Sequence, residues 1–324
     1  MQRYSVERVD FATAAGELHA VREAVFVREQ GVPVELERDA ADPHCLHALA
    51  TDADGRPIGA CRLVPPFLAV NGCVGHDSTP DTVHATAAAI PHVGRMAVLG
   101  HWRGRGVGEA MLAALTEWAR ELGWRVLALN AQASAIPFYA RLGYLPHGAR
   151  FMEAGIEHQA MRRTLDGAST IDNRESAIAI VTALAHQARR RLCVYSRALD
   201  PGLLDAPEVL AALRRLAVRG GGVELRFLLQ DAATPQRDFA PLLALAQRLP
   251  SVLLLREVAD PVDRGYPSAF VANDAGGYYF RSLGHRFEGE ADLDAAGRAR
   301  QLRDEFDRTW ERSRPCTELR ALGM

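Results

Sequence analysis

The chain has 324 residues, 48% of them hydrophobic and 24% charged, with a formal net charge of -2. That is an ordinary globular composition, long enough for two domains with separate cores, and it lacks the basic excess that would bind nucleic acid or an anionic membrane. No lysine occurs, so all 38 basic side chains counted as Lys+Arg are arginines, and chemistry that needs a lysine is excluded. The cysteines Cys45, Cys61, Cys73, Cys193 and Cys316 are scattered and never spaced C-x-x-C, so neither a disulfide framework nor a metal site is expected. The opening MQRYSVERVD carries charges where a signal peptide needs an apolar run, and the longest apolar stretch, Ala177 to Ala185, is too short for a bilayer, so the expected location is the cytoplasm.

In chain order, a short opening strand leads to a helix from Ala12 to Gln30 with apolar residues at Val21, Val25 and Phe26, stopped by Gly31 and Pro33. CLHALAT and PIGACRLV read as strands joined by the turn DADGR. Residues 65–91 read as a surface excursion before the strand HVGRMAVL, and the loop HWRGRGVGEAM follows at once. An amphipathic helix carrying Met111, Leu115, Trp118 and Leu122 on one face ends at Gly123. The strand RVLALNA, a short helix from Ala135 to Leu142, and a strand pair through RFMEAGIEHQAMRRTL complete a first domain, residues 1–166. The small, polar segment 167–173 is the expected linker. Residues 174–324 alternate helix and strand again, which predicts a second α/β domain with a largely parallel sheet, closed by a helix ending near Trp310.

The loop is the strongest chemical signal. Residues Arg103 to Gly108 read R-G-R-G-V-G and open a helix. A helix start offers unpaired N–H groups and partial positive charge, glycines let the backbone approach an anion, and arginines add forked donors, so the leading reading is a phosphate site. The alternative is a glycine turn with solvated arginines. A Walker A loop needs a lysine that the chain lacks, and a dinucleotide fingerprint needs G-x-G-x-x-G where Gly104, Gly106 and Gly108 give G-x-G-x-G.

The R-x-x-G-x-G spacing resembles the pyrophosphate loop of the GNAT acetyltransferases, and IPFYARLGY resembles the family's later cofactor segment. VREAVFVREQ, ACRLVPP, NAQASAIPFY and FMEAGIEHQAM are similar to the ElaA and YjcF types within it. The resemblance implies a mixed central sheet flanked by helices and an acetyl-CoA-dependent N-acetyltransferase acting on a small-molecule, peptide or protein amine. It implies that the backbone of Met96, Ala97 and Val98 pairs with the pantetheine arm. Arg103, Gly104, Arg105, Gly106, Val107 and Gly108 would face the pyrophosphate, and Tyr139 would give a proton to the departing thiolate. Gln132 stands where the family usually has asparagine. Direct attack needs a base near the acceptor amine. Glu153 and His158 rank first, ahead of Glu29, Glu157, His101 and the acidic run from Glu35 to Asp42, with solvated surface charge as the competing reading of each. A non-enzymatic acyl-CoA sensor or scaffold and an acyl-homoserine-lactone-type synthase are the alternatives.

The second half resembles, through CVYSRALD, VELRFLLQD, YPSAFVANDAGGYYFRS and LRDEFDRTW, a half-unit of the phospholipase D superfamily. The positions of that superfamily's histidine, lysine and aspartate hold Tyr266, Ser268 and Asn273. The resemblance therefore implies a domain without that chemistry, left with a binding, regulatory or dimer-forming role. Arg189, Arg190 and Arg191 are a candidate anion contact or a solvated helix end.

Overall fold

The computed structural model describes residues 3–69, 90–232 and 240–316, and most of the excursion read at 65–91 lies outside them. The elements run β1 (Tyr4–Val9), α1 (Phe11–Arg22), a π-helical stretch (Glu23–Glu29), α2 (Val34–Glu37), β2 (Leu46–Asp52), β3 (Pro57–Val64), α3 (Pro66–Ala69), β4 (His92–Val98), α4 (Val107–Glu121), β5 (Val126–Gln132), α5 (Ile136–Ala140), β6 (Leu145–Pro146), β7 (Phe151–Glu153) and β8 (Ile156–Thr164). Two compact units result: Met1–Ser134 with His147–Asp166, and Ala135–Pro146 with Gly167–Met324. The boundary expected after residue 166 is thus joined by a second crossing, because α5 and β6 cluster with the later unit.

In the first unit the sheet order is β1-β2-β3-β4-β5-β8, with β7 hairpinned on β8. Asp10 accepts from the Ala12 amide at 2.8 Å and caps α1. Strand β3 is buried on both faces. Ala60 packs with Leu18 and Val21 of α1 and Val25 of the π-helical stretch. A Cβ at Gly59 would lie 3.0 Å from Met111 Cε, so α4 closes tightly on the opposite face. The face of α4 is rotated from the expected one: Met111, Leu112, Leu115, Thr116 and Ala119 are buried, whereas Leu122 is 49% exposed.

Strand β4 carries a bulge. Its register with β3 passes from Ala60↔Ala97 to Arg62↔Gly94, so Arg95 and Met96 oppose Cys61, and Arg95 takes the left-handed φ of 51°. A buried ion network holds this kink. Arg62 grips Asp39 with two hydrogen bonds of 2.7 and 2.6 Å and reaches Asp42 at 2.6 Å. Arg22 contacts Glu37 and Asp42. Arg95 donates to Asp39 and to the carbonyls of Leu36 and Glu37. Burial raises the Asp42 carboxyl, but Arg22 and Arg62 override it and hold the group below the usual carboxylate range. Of the acidic run read as a source of candidate bases, Glu37, Asp39 and Asp42 are turned toward three guanidiniums, while Glu35 is exposed.

The second unit continues with β9 (Ser169–Ile171), α6 (Arg174–Gln187), β10 (Arg191–Ser196), α7 (Pro207–Ala217), β11 (Glu224–Leu229), α8 (Ala240–Arg248), β12 (Leu253–Glu257), α9 (Pro261–Arg264), β13 (Ala269–Asn273), β14 (Tyr278–Arg281), β15 (Gly289–Asp292), α10 (Ala296–Arg312) and β16 (Arg314–Pro315). The expected linker 167–173 carries β9, an edge strand whose Ile171 is fully buried. The sheet order is β16-β12-β11-β10-β13-β14-β15-β9. The sheet is mixed rather than largely parallel: only β10–β11 and β11–β12 pair parallel, because hairpin β13–β14 adds to the other side of β10 antiparallel. Alternation along β10 divides the core, with Leu192 and Val194 packing with α6 and α7, and Cys193 and Tyr195 packing with Phe306 and Trp310 of α10.

Removing one partner of a buried ion pair strands the other charge, at a cost of about 3–5 kcal/mol. Asp42→Ala is expected to lower the unfolding free energy of the first unit by that amount in a urea titration, with the transition of the second unit unmoved.

Candidate active site

Strands β4 and β5 are parallel neighbours that pair only at His92↔Ala128 and Val93↔Leu129. Beyond those positions β4 runs on to Val98 paired with β3, and β5 runs on to Gln132 paired with β8. The two strands thus part in a wedge. Asn130 is exposed although it sits in mid-strand. Backbone N–H and C=O groups facing such a gap need partners, and an extended ligand with amides of its own can supply them as an added strand would. Met96, Ala97 and Val98 stand on the β4 side of the wedge.

The glycine loop follows β4 directly. A single 3₁₀ turn, Gly100–Trp102, buries Trp102, whose ring meets Tyr4 edge-on at 6.5 Å. Gly104 and Gly106 have φ of 72° and 86°, and Gly106 is the N-cap of α4, with no side-chain cap. A Cβ at Gly106 would also come within 3.2 Å of the Tyr4 hydroxyl. The first-turn amides of α4 have no intrahelical acceptor, and Val107, 1% exposed, anchors the turn in the core. Arg105 lies over the Trp102 ring at 5.2 Å. Sequence reasoning missed Trp102 and Tyr4; the aromatic placed directly before the glycine run was the available signal.

At the mouth of the wedge, Arg103 does not stand open. Its guanidinium holds Glu29 with two hydrogen bonds of 2.5 and 2.8 Å, and its Nε donates to the Val98 carbonyl at 2.9 Å. The Arg103 hydrogen bond holds the Glu29 carboxyl below its ordinary value. Beside it, Gln132 donates to Gln30 at 3.0 Å, tying the end of β5 to the π-helical stretch. His158 is the cross-strand partner of Gln132. Its Nδ1 lies 2.9 Å from the Ile156 carbonyl, and its ring stacks on Phe151 at 5.9 Å. The structure therefore brings Glu29, Arg103, Gln132 and His158 to one end of the wedge.

The other candidates are dispersed. Glu153 pairs with Ile156 at the tip of the β7–β8 hairpin, past the register where β5 ends. Glu157 is tied to Arg150 at 2.9 Å, and His101 is exposed beside Trp102. Tyr139 belongs to the second unit, 8% exposed, with its ring edge-on to Phe138 and Tyr144.

Residues 21–113 and 73–165 each match a model of the acetyltransferase (GNAT) domain. A Bacillus subtilis protein named as an acetyltransferase is 31% identical over 162 residues, covering 48% of this chain and 95% of its own length. The chain belongs to the GNAT acetyltransferase family. Another relative, YjcF of Bacillus subtilis, named as an uncharacterized N-acetyltransferase, is 33% identical over 144 residues, 44% of this chain and 87% of its own. Among solved structures, Escherichia coli ElaA matches with a TM-score of 0.38 and 22% identity, covering 50% of this chain and 99% of its own. The GNAT half is an acyltransferase, and its wedge and glycine loop occupy the part of the chain that the family models match.

Residues 173–322 match a domain of unknown function, DUF7931, which lends the phospholipase D resemblance no support. The three positions read for that chemistry are accounted for otherwise. The Asn273 amide donates to Leu184 O and Gln187 Oε1, and its Oδ1 accepts from the Ala275 and Gly277 amides, so it shapes the β13–β14 turn. Ser268 donates to the Ser282 carbonyl, and Tyr266 is half-buried. In the arginine run, the amides of Arg189 and Arg190 bind the Asp274 carboxylate and Arg191 pairs with Asp307. Among the described residues no cluster of His, Cys, Asp and Glu is disposed to hold a metal, and no helix is long and apolar enough to cross a membrane.

His92 stands at the last paired positions before the strands part. Burial, with Arg62 nearby, pushes its imidazole down to about 4. The unfolded chain takes up this proton near the ordinary imidazole value of about 6.5 and the folded chain does not, so stability is full above that value and falls as the pH drops toward about 4. His92→Gln is expected to lose at most about 2 kcal/mol less than the parent between pH 7 and pH 5 in urea titrations.

Proposed function

We propose that the GNAT half transfers the acetyl group of acetyl-CoA to a primary amine by direct attack, in the cytoplasm. The single observation that carries this reading is the wedge between β4 and β5 leading straight to an uncapped, glycine-lined helix start. The wedge suits the amide-bearing pantetheine arm, with Met96, Ala97 and Val98 as its backbone partners. The α4 amides from Val107 and Gly108, with Arg105, suit the pyrophosphate. Arg103 serves a different end from the one its motif suggests: by holding the Val98 carbonyl and Glu29 together it fixes the peptide at the end of β4. An N–H there is the group disposed to meet the oxyanion formed as the amine attacks the thioester.

An alkyl ammonium near pKa ~10.4 must shed a proton first. His158, level with Gln132 at the mouth, is the group we assign to that step, directly or through one water; Glu153 is set aside for its place at the hairpin tip. Glu29, held as an anion, attracts the cationic acceptor instead of deprotonating it.

Thiol release from acetyl-CoA should appear with some member of a panel of amines. Gly106→Ala, which forces a side chain into a left-handed backbone facing the Tyr4 hydroxyl, should weaken CoA binding roughly five- to thirtyfold, from about 1–2 kcal/mol of strain. Calorimetry showing no CoA binding by the parent chain would sink the reading; tight binding with no turnover on any amine would favour an acyl-CoA sensor. His158→Gln should remove the acidic limb of the kcat/KM profile while leaving the KM for acetyl-CoA within about twofold, and an unchanged pH profile would dismiss His158 as the base.

A further inference from the structure

The second unit contains a cleft that no part of the acetyltransferase reading uses. It has a volume of about 310 Å³, at the small end of ligand cavities, and its lining includes Arg197, Gln230, Asp231, Arg264, Tyr266 and His285. Its place in the fold follows from the topology. Arg197 is the first residue beyond β10, and Gln230 and Asp231 are the first beyond β11, the parallel pair of the sheet. Strand β13 runs antiparallel on the other flank of β10, so Tyr266, just before β13, returns to the same end. The cleft therefore opens at the carboxyl ends of parallel strands, where the neighbours of β10 change from parallel to antiparallel and the connections leave in opposite directions. Open α/β sheets offer ligand crevices at such points.

The walls are built rather than accidental. The Gln230 amide donates to the Tyr266 carbonyl at 2.5 Å, and the amides of Gln230 and Asp231 donate to the carbonyls of Ser196 and Arg197, at 3.1 and 2.8 Å. The Arg264 Nε donates to the Val258 carbonyl at 2.9 Å, which fixes the guanidinium at the rim. Arg197 and His285 are exposed and have no ion-pair partner among the described residues. The lining thus brings two guanidiniums and an imidazole from three separate segments to a cavity that also holds one carboxylate, Asp231. Guanidiniums converging from separate segments match the oxygens of a phosphate, and a carboxylate beside them can accept from hydroxyl donors on the same molecule.

We propose that this cleft binds a small hydroxylated phosphate monoester, of the size of a sugar phosphate. Arg197, with Arg264 and His285, receives the phosphate and Asp231 accepts from a hydroxyl. The test uses the full chain saturated with CoA, so that the glycine loop of the first unit is filled. Calorimetric titration with glucose 6-phosphate should show one site. Inorganic phosphate should bind more weakly, since it lacks the hydroxyls, and glucose should not bind. Arg197→Gln should weaken the sugar phosphate at least about tenfold, the loss of one charge-assisted hydrogen bond, while Arg214→Gln, on α7 and outside the lining, should leave it unchanged. Both variants replace surface arginines, and their unfolding midpoints should match the parent's. No binding of glucose 6-phosphate at millimolar concentration, or binding that Arg197→Gln leaves intact, would overturn the proposal. Equal binding of inorganic phosphate and sugar phosphate would also overturn it, reducing the cleft to a general anion contact.

Discussion

The first unit is organised by the fact that β4 and β5 share only two paired positions. Parallel strands ordinarily continue their ladder, so something must turn β4 away, and the bulge at Arg95 and Met96 lies immediately after the last pair. A left-handed backbone at a non-glycine residue costs about 1–2 kcal/mol. The Arg95 side chain meets that cost with hydrogen bonds to Leu36 O, Glu37 O and Asp39. The kink is thus braced from α2 and the residues just after it, and these are in turn clasped by Arg22 and Arg62. A wedge in a sheet would be a liability in isolation, because it leaves polar backbone unpaired; here a buried lattice of charge sets where it begins.

Two kinds of ion pair do different work in this unit. Arg22, Arg62, Glu37 and Asp42 are each at most 3% exposed, so their charges are committed and their removal is felt as instability. Arg103 and Glu29 are 44% and 45% exposed, so their pairing adds little to stability. Its consequence is positional: the same guanidinium fixes Glu29 and the Val98 carbonyl, joining the π-helical stretch to the end of β4. The stable network sits beneath the bulge and the adjustable pair sits at the mouth, which is the distribution expected when a site must be held at its base and open to solvent at its rim.

Much of the first unit was legible in the sequence because its signals are local. The β2–β3 hairpin, the helix after the glycine loop and the glycine-lined, uncapped start of that helix follow from alternation, periodicity and glycine spacing over a few residues. The wedge was not legible, since a strand that leaves its neighbour has the same composition as one that stays. The tie made by the Arg103 side chain was not legible for a similar reason: the motif fixes the backbone of the loop, but the partner of the side chain, Glu29, lies 74 residues away. The inward acidic run failed most plainly. Asp39 and Asp42 were open to reading as candidate bases or as solvated charge because their partners Arg62 and Arg95 come from β3 and β4. In the second unit the alternation of helix and strand was readable, whereas the antiparallel direction of β13 depended on a hairpin choosing the free flank of β10.

The absence of lysine binds these observations together. A guanidinium remains charged across the whole physiological range and presents a planar fork, so each contact it makes fixes direction as well as charge. Arg62 satisfies two carboxylates at once, and Arg103 satisfies a carboxylate and a carbonyl; an ammonium on a flexible stem would hold these groups without setting their planes. The basic side chains therefore act as fixed struts, and proton movement near neutral pH is left to the histidines. Of these, His92 is kept neutral by burial at the start of the wedge, while His158 stands at its mouth, opposite Gln132. A chain with this composition rests its electrostatic framework on cations that stay charged through neutral pH, and His92, held neutral, adds no titrating charge at the start of the gap between β4 and β5.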